Sequence, residues 1–372
     1  MMRLNSLLAV CVLMFAFSCK KKEQDKVETN NFDRTSMLVN YSDNVITPSL
    51  TDFSTAANNL YNVTLLFSQN PTQSRLDSLQ NELKTTFIAW QYCSAIRFGP
   101  PLEQFGEGDV FPKVDYIDIF PSNPEAIENF IKNNFQNLND IDLPSRGLNA
   151  LDYLLFDLND NDSTILNNFK ASPNRINYLK LIAMDVKNRS NAAVAGWHTY
   201  KSDFISNNGT SATSSTALLM KQLIVDYENL KNYKVGIPSG RVVQNGQPVF
   251  YSNQVEAYYS GYSFDCMKNN FYAIENLWYG RNKRGYDGPG LQEYLLETSG
   301  GPEIAVATVQ QFEIIRTKLN GLPSGRFSEL LKSNPAQAQE LYLELQKFTR
   351  HIKSEMVSVL GVYITYASGD GD

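Results

Sequence analysis

"LYLELQKFTRHIKSEMVSVLGVY" (341–363) sets Leu341, Leu345, Phe348, Ile352, Met356, Val359 and Tyr363 three or four residues apart. An α-helix turns once in 3.6 residues, so this spacing puts all seven on one face, whereas a strand would scatter them over two. The same period runs through Leu76, Leu79, Leu83, Phe87 and Trp90, through Leu219, Leu223, Tyr227 and Leu230, and from Ile176 to His198. Residues 123–135 open with Asn-Pro-Glu, a capping residue followed by a proline at the first helical position. Extended pieces are expected only around 114–120 and 242–251, where β-branched and aromatic residues gather between prolines and glycines. Asn245-Gly246 is the one candidate hairpin turn. The pattern predicts an all-α fold.

Length and breakers divide that helical chain. At 372 residues it exceeds what one core usually holds, so two helical-bundle domains packed against each other are expected. Asn207-Asn208-Gly209 and the Ser/Thr-rich stretch after it read as a linker over 207–216, between an N-terminal domain (32–206) and a C-terminal domain (217–372).

The N-terminus points to the compartment. Arg3, an apolar run from Leu7 to Phe17, Ser18-Cys19 and then Lys20 to Lys22 form a signal peptide, too short in its apolar part to span a bilayer. Residues 1–18 read as the leader and 19–31 as a tether. The cysteine after small and apolar residues resembles a bacterial lipoprotein cleavage box, which implies a lipid anchor on Cys19 and a place in the cell envelope. An ordinary secretory signal with an incidental cysteine is the alternative. The net charge is −6, and the leader carries only Arg3 among charged residues, so the mature chain is more acidic still. Nucleic acid is excluded as a partner on that ground. Cys93 and Cys266 are the cysteines of the folded region, open to one disulfide or to two buried thiols.

Common catalytic signatures are missing: no HExxH, no Gly-rich phosphate loop, no GxSxG and no CxxC. The two histidines, His198 beside Trp197 and His351 between basic residues, read as structural and solvated respectively. "GIPSGR" (236–241) recurs as "GLPSGR" (321–326), which helix-stop glycines explain, although Arg241 or Arg326 with nearby amides could hold an anion. Arg281, Lys283 and Arg284 mark a surface turn within 280–290.

One helix carries polar residues where packing would prefer leucine. In "SRGLNALDYLLF" (145–156), Asn149 and Asp152 share a face with Tyr153 and Phe156, while Leu148, Leu151 and Leu155 line the opposite side. An acid on a helix that is apolar nearly all round needs a partner or a polar pocket.

These residues carry a resemblance. "FIAWQYCSAIRFGP" (87–100), "RGLNALDYLLF" (146–156), "VEAYYSGYSFDCMKNN" (255–270) and "LGVYITYASGDGD" (360–372) resemble the imelysin family of helical envelope proteins. The second segment falls on the family's G-x-H-x-x-E motif. Gly147 matches, Asn149 stands at the histidine position and Asp152 at the glutamate position, while Ser94 stands where the family often has glutamate. The resemblance implies a two-domain all-α fold, a pocket between the domains, an association with iron uptake, and the peptidase label of the family name.

The expected pocket residues are Trp90, Ser94, Gly147, Asn149, Asp152, Glu256, Tyr259 and Ser260. Asp152 and Glu256 are the candidate metal ligands, for a metal ion or iron complex that the sequence does not identify. Asparagine removes a group that titrates near neutrality or ligates a transition metal, and aspartate shortens the carboxylate's reach, so an oxygen-preferring cation suits the pair better than iron or zinc. The expected function is a lipid-anchored envelope binding protein tied to iron or iron-complex uptake, with a small-molecule or metal ligand and an envelope uptake partner. A metallopeptidase and a partner-binding lipoprotein with a vestigial pocket are the rivals.

Overall fold

Ser172 and Ser214 show how the helices are started. Each side chain accepts a backbone N–H three residues on, from Arg175 and Ala217, and so satisfies a donor that the first helical turn leaves unpaired. Asn123 does the same for Ala126 ahead of the Pro124–Lys132 helix. The protein is described from a computed structural model covering residues 32–108, 114–159 and 161–365. The leader, Cys19 and the tether lie outside the described residues, as does the end of the 360–372 segment.

The fold is all-α. In the N-terminal half, the long helix Pro173–Ser206 and the helix Gln73–Gln91 pack on Thr47–Gln69, burying Phe53, Leu60, Phe67, Leu76, Leu83, Phe87 and Trp197. In the C-terminal half, Ser215–Glu228, Ser263–Tyr279, Gly301–Asn320 and Pro335–Arg350 pack around Tyr227, Phe271, Trp278, Phe312 and Phe348. Removing each such side chain from water contributes about 1.5–3 kcal/mol. By their contacts the described residues belong to one compact unit. The loop 207–214 separates the Pro173–Ser206 helix from the next, and the first described helix, Arg34–Asn40, reaches into the C-terminal half. Asn40 donates to Gly280 O at 2.7 Å, and Tyr41 donates to Leu277 O.

Three local readings change in the structure. Leu341, Leu345, Phe348, Ile352 and Met356 are buried, but Gly361 turns into the left-handed region (φ 61°) and ends the helix. Tyr363 therefore lies beyond it and is 69 % exposed. Residues 114–120 form no strand; the Asp115 carboxylate accepts the N–H groups of Ile117 and Asp118 and curls that segment instead. His198 is exposed on its helix. Around Asn245-Gly246 a hairpin does form, β1 (Ser239–Gln244) with β2 (Gln247–Phe250), both turn residues having positive φ as a type I′ turn requires.

Candidate functional site

The motif helix Gly147–Leu155 begins against an irregular segment, and glycine makes the approach possible. Gly147 has φ 75°, and a Cβ there would lie 2.4 Å from Ile117 O. Leu148 N donates to the same carbonyl at 2.8 Å. The segment is fixed from its other side by Arg97, whose guanidinium donates to Asp115 Oδ2 at 2.6 Å and to the carbonyls of Ser94, Phe105 and Gly106. Asp115 Oδ1 in turn accepts the N–H groups of Ile117 and Asp118, which sets the direction of the Asp118 carboxylate.

Asn149 uses both ends of its amide. Its Nδ2 donates to Asp118 Oδ1 at 2.7 Å, and its Oδ1 accepts Ala257 N at 2.9 Å. Ala257 has φ 52°, a conformation an L-residue adopts only when held, and this bond is one of the holds. Asp152, one helical turn on, accepts Tyr259 N at 2.8 Å and Ser260 N at 3.1 Å, one on each oxygen. The turn is braced behind by Arg326, which donates to the carbonyls of Tyr258 and Tyr259 and lies over Gly261. Arg326 therefore serves backbone carbonyls, and Arg241 is exposed. Burial pushes Asp152 up to about 6, against the pull of the Ser260 and Tyr259 bonds and the Arg326 charge.

A second knot joins the same turn to Asp118. The helix Ser215–Glu228 continues as a π-helical stretch, Asn229–Gly236, that carries Lys234 into the interior. Lys234 Nζ lies 2.8 Å from Glu256 Oε2 and 3.7 Å from Asp118 Oδ2, and donates to Gln91 Oε1. Gln91 Nε2 donates to Glu256 Oε1 at 2.7 Å, and Trp90 Nε1 to Asp118 Oδ2 at 3.2 Å. Burial and the Asp118 charge raise Glu256 above the usual carboxylate range, with Lys234 pulling the other way. Burial disfavours the Lys234 charge, yet Glu256 and Asp118 outweigh it and hold the amine above its ordinary value, as an ammonium. Beside this knot, Asn270 donates to Asp226 Oδ2 at 2.6 Å and reaches Ser94 Oγ at 3.4 Å. Burial raises Asp226.

The residues singled out in the sequence thus meet at two adjoining knots. Gly147, Asn149, Asp152, Tyr259 and Ser260 make the amide clasp. Glu256 and Trp90 belong to the Lys234 knot, with Ser94 beside it. Tyr259 contributes its backbone N–H, while its ring packs edge-on against Tyr153 at 5.1 Å. Asp115, Asp118, Arg97, Gln91, Asp226 and Lys234 escaped sequence reasoning. Only Lys234 left a usable signal: it stands four residues after Leu230 on the stripe Leu219, Leu223, Tyr227, Leu230. Cys93 and Cys266 are buried free thiols, both raised by burial.

As metal ligands, Asp152 and Glu256 fit poorly. Each Asp152 oxygen takes a backbone amide, and Glu256 faces an ammonium. Among the described residues, no three His, Cys, Asp or Glu side chains converge as a ligand set.

The imelysin family model matches residues 46–356. The chain belongs to the imelysin family. A search of curated proteins returns no match. Among solved structures, this imelysin family member is similar to an imelysin-like protein from Psychrobacter arcticus, with a TM-score of 0.67 at 16 % identity, covering 90 % of this chain and 97 % of that one. It is similar also to a Parabacteroides distasonis protein that bears the name iron-regulated protein A precursor, with a TM-score of 0.66 at 17 % identity, covering 87 % and 95 %. At these identities the likeness carries the fold.

Proposed function

We propose that this imelysin-type protein is a lipid-anchored binding protein of the bacterial cell envelope, tethered through Cys19, which takes part in handling iron or an iron complex and does not cleave peptides. The family membership and the iron-regulated name of one structural neighbour support the iron link. The leader-like run ending at Ser18-Cys19 supports the anchor.

One observation carries the non-peptidase part: both oxygens of the motif carboxylate accept backbone amides, from Tyr259 and Ser260, beside an asparagine in the histidine position. Amide hydrolysis needs an activated water or nucleophile and a group that protonates the leaving amine. Asn149 titrates nowhere near neutrality, and Asp152 is engaged in holding the turn.

The test uses the mature protein. Unfolded casein and fluorogenic peptides should stay intact, and ferric complexes or haem should bind in a titration followed by absorbance. In cells, Cys19→Ala should move the protein from the membrane to the soluble fraction. Peptide cleavage that is abolished by Asp152→Ala and by chelators would instead establish a metallopeptidase.

A further inference from the structure

The knot around Lys234 has the composition of a small cation site that already holds a cation. Three oxygens surround one nitrogen: Gln91 Oε1, Glu256 Oε2 at 2.8 Å and Asp118 Oδ2 at 3.7 Å. Gln91 Oε1 accepts from the ammonium and Glu256 Oε2 lies at ion-pair contact, while Asp118 Oδ2, beyond hydrogen-bond reach, acts through its charge. Both carboxylates and the lysine are at most 5 % exposed, which leaves bulk water no part in neutralising them. The oxygens are themselves aimed by other groups: Asp118 by Trp90 and Asn149, and Glu256 by Gln91. Two carboxylates and an amide carbonyl are hard oxygen donors, of the kind Mg²⁺, Mn²⁺ or Ca²⁺ takes together with water.

We infer that the Lys234 ammonium is the resident cation of this acidic pocket and holds the position a divalent ion would occupy, so that Lys234 decides that the imelysin motif region of this protein excludes free divalent metal. The lysine arrives from the C-terminal half on the π-helical stretch 229–236, whose wider turn displaces a side chain from its α-helical direction. One positive charge faces two carboxylates, and the raised Glu256 is where the imbalance shows. A divalent ion would neutralise the pair fully, but it cannot share the three oxygens with an ammonium at contact distance, because like charges at that spacing repel strongly where water is absent. The inference is independent of the iron-handling reading: it concerns bare ions at Asp118 and Glu256, and an iron complex bound elsewhere would leave it untouched.

Mn²⁺ is the probe, since the free ion is read directly by electron paramagnetic resonance. Wild type, Lys234→Ala, Glu256→Gln and the double variant Lys234→Ala/Glu256→Gln are titrated at constant ionic strength, with melting temperature followed in parallel. Wild type and Glu256→Gln should take up Mn²⁺ equally weakly. Lys234→Ala should bind one ion at least about tenfold more tightly, with a melting temperature that climbs with Mn²⁺, and the double variant should lose both effects. If Lys234→Ala is unfolded in the absence of metal, millimolar Mn²⁺ should restore its helical circular dichroism where matched NaCl does not. Tight uptake by wild type that Glu256→Gln removes would overturn the inference. So would a folded Lys234→Ala that takes up no Mn²⁺, or an unfolded one that Mn²⁺ fails to restore.

Discussion

Asp152 and Glu256 are both enclosed acids that serve one turn, 256–260, yet they are kept there by different means. Asp152 meets two backbone N–H groups, whose positions follow from the course of the chain. Glu256 meets an ammonium at the end of a flexible side chain from another helix. Amide dipoles stabilise a carboxylate without bringing a second charge into the interior, whereas an ion pair desolvates two charges and depends on each keeping its partner. The clasp is therefore expected to resist side-chain substitution better than the knot.

Lys234→Met tests that ranking where the effect is largest. It removes the counter-charge beside Asp118 and Glu256, which should cost about 3–5 kcal/mol in urea unfolding where Glu256 is ionised. The loss should be largest above pH 8 and shrink on acidification to that value, because Glu256, pushed up to about 8 beside the lysine and higher without it, then carries a proton and the repulsion is gone. Lys234→Met/Glu256→Gln should recover much of the loss. A single-variant cost no greater than that of Asp152→Asn would erase the distinction between the two regions.

Gly147→Ala probes the ground on which the clasp stands. The new methyl would press on Ile117 O, and alanine at φ 75° is strained whatever the space, so a cost of about 1–3 kcal/mol is expected. Because that shift displaces the carrier of Asn149 and Asp152, hydrogen exchange at Ala257, Tyr259 and Ser260 amides should quicken more than at the Thr47–Gln69 helix. Uniform quickening across both would mean that the turn is held independently of the motif helix.

Much of this was legible in the sequence because the determinants are local. Helical period, caps such as Asn123 and Ser172, and the Asn245-Gly246 turn act over a few residues, and the paired polar residues on 149 and 152 announce a partner. What was hidden depends on distant chain. Asp118 lies in a stretch that reads as extended; the Arg97–Asp115 pair, 18 residues apart, helps to bend it toward Asn149. Lys234 continues an apolar stripe, but its carboxylates come from positions 118 and 256, and no period links them. Tyr259 and Ser260 were singled out by side-chain type, while the groups that bind Asp152 are their backbone amides.

Asp152→Asn gives the smallest effect and the sharpest one for the clasp. Asparagine has one carbonyl oxygen, so either Tyr259 N or Ser260 N loses its acceptor and meets an NH₂ group instead. A buried donor left unpaired costs about 1–3 kcal/mol, offset in part because a neutral amide is easier to bury than a carboxylate. The offset fixes the pH dependence. Asp152 titrates at about 6 in the folded chain against an ordinary 3.8, so the folded state binds its proton more tightly than the unfolded state does. The stability that this protonation contributes is fully present below pH 3.8, declines as pH rises toward 6, and is gone above it. Asparagine does not titrate, so the gap between wild type and Asp152→Asn should be widest near pH 4 and narrow toward neutrality, as read from urea midpoints across that range. A gap that widens with pH would mean that the two amides outweigh burial, and that the clasp prefers the charged acid.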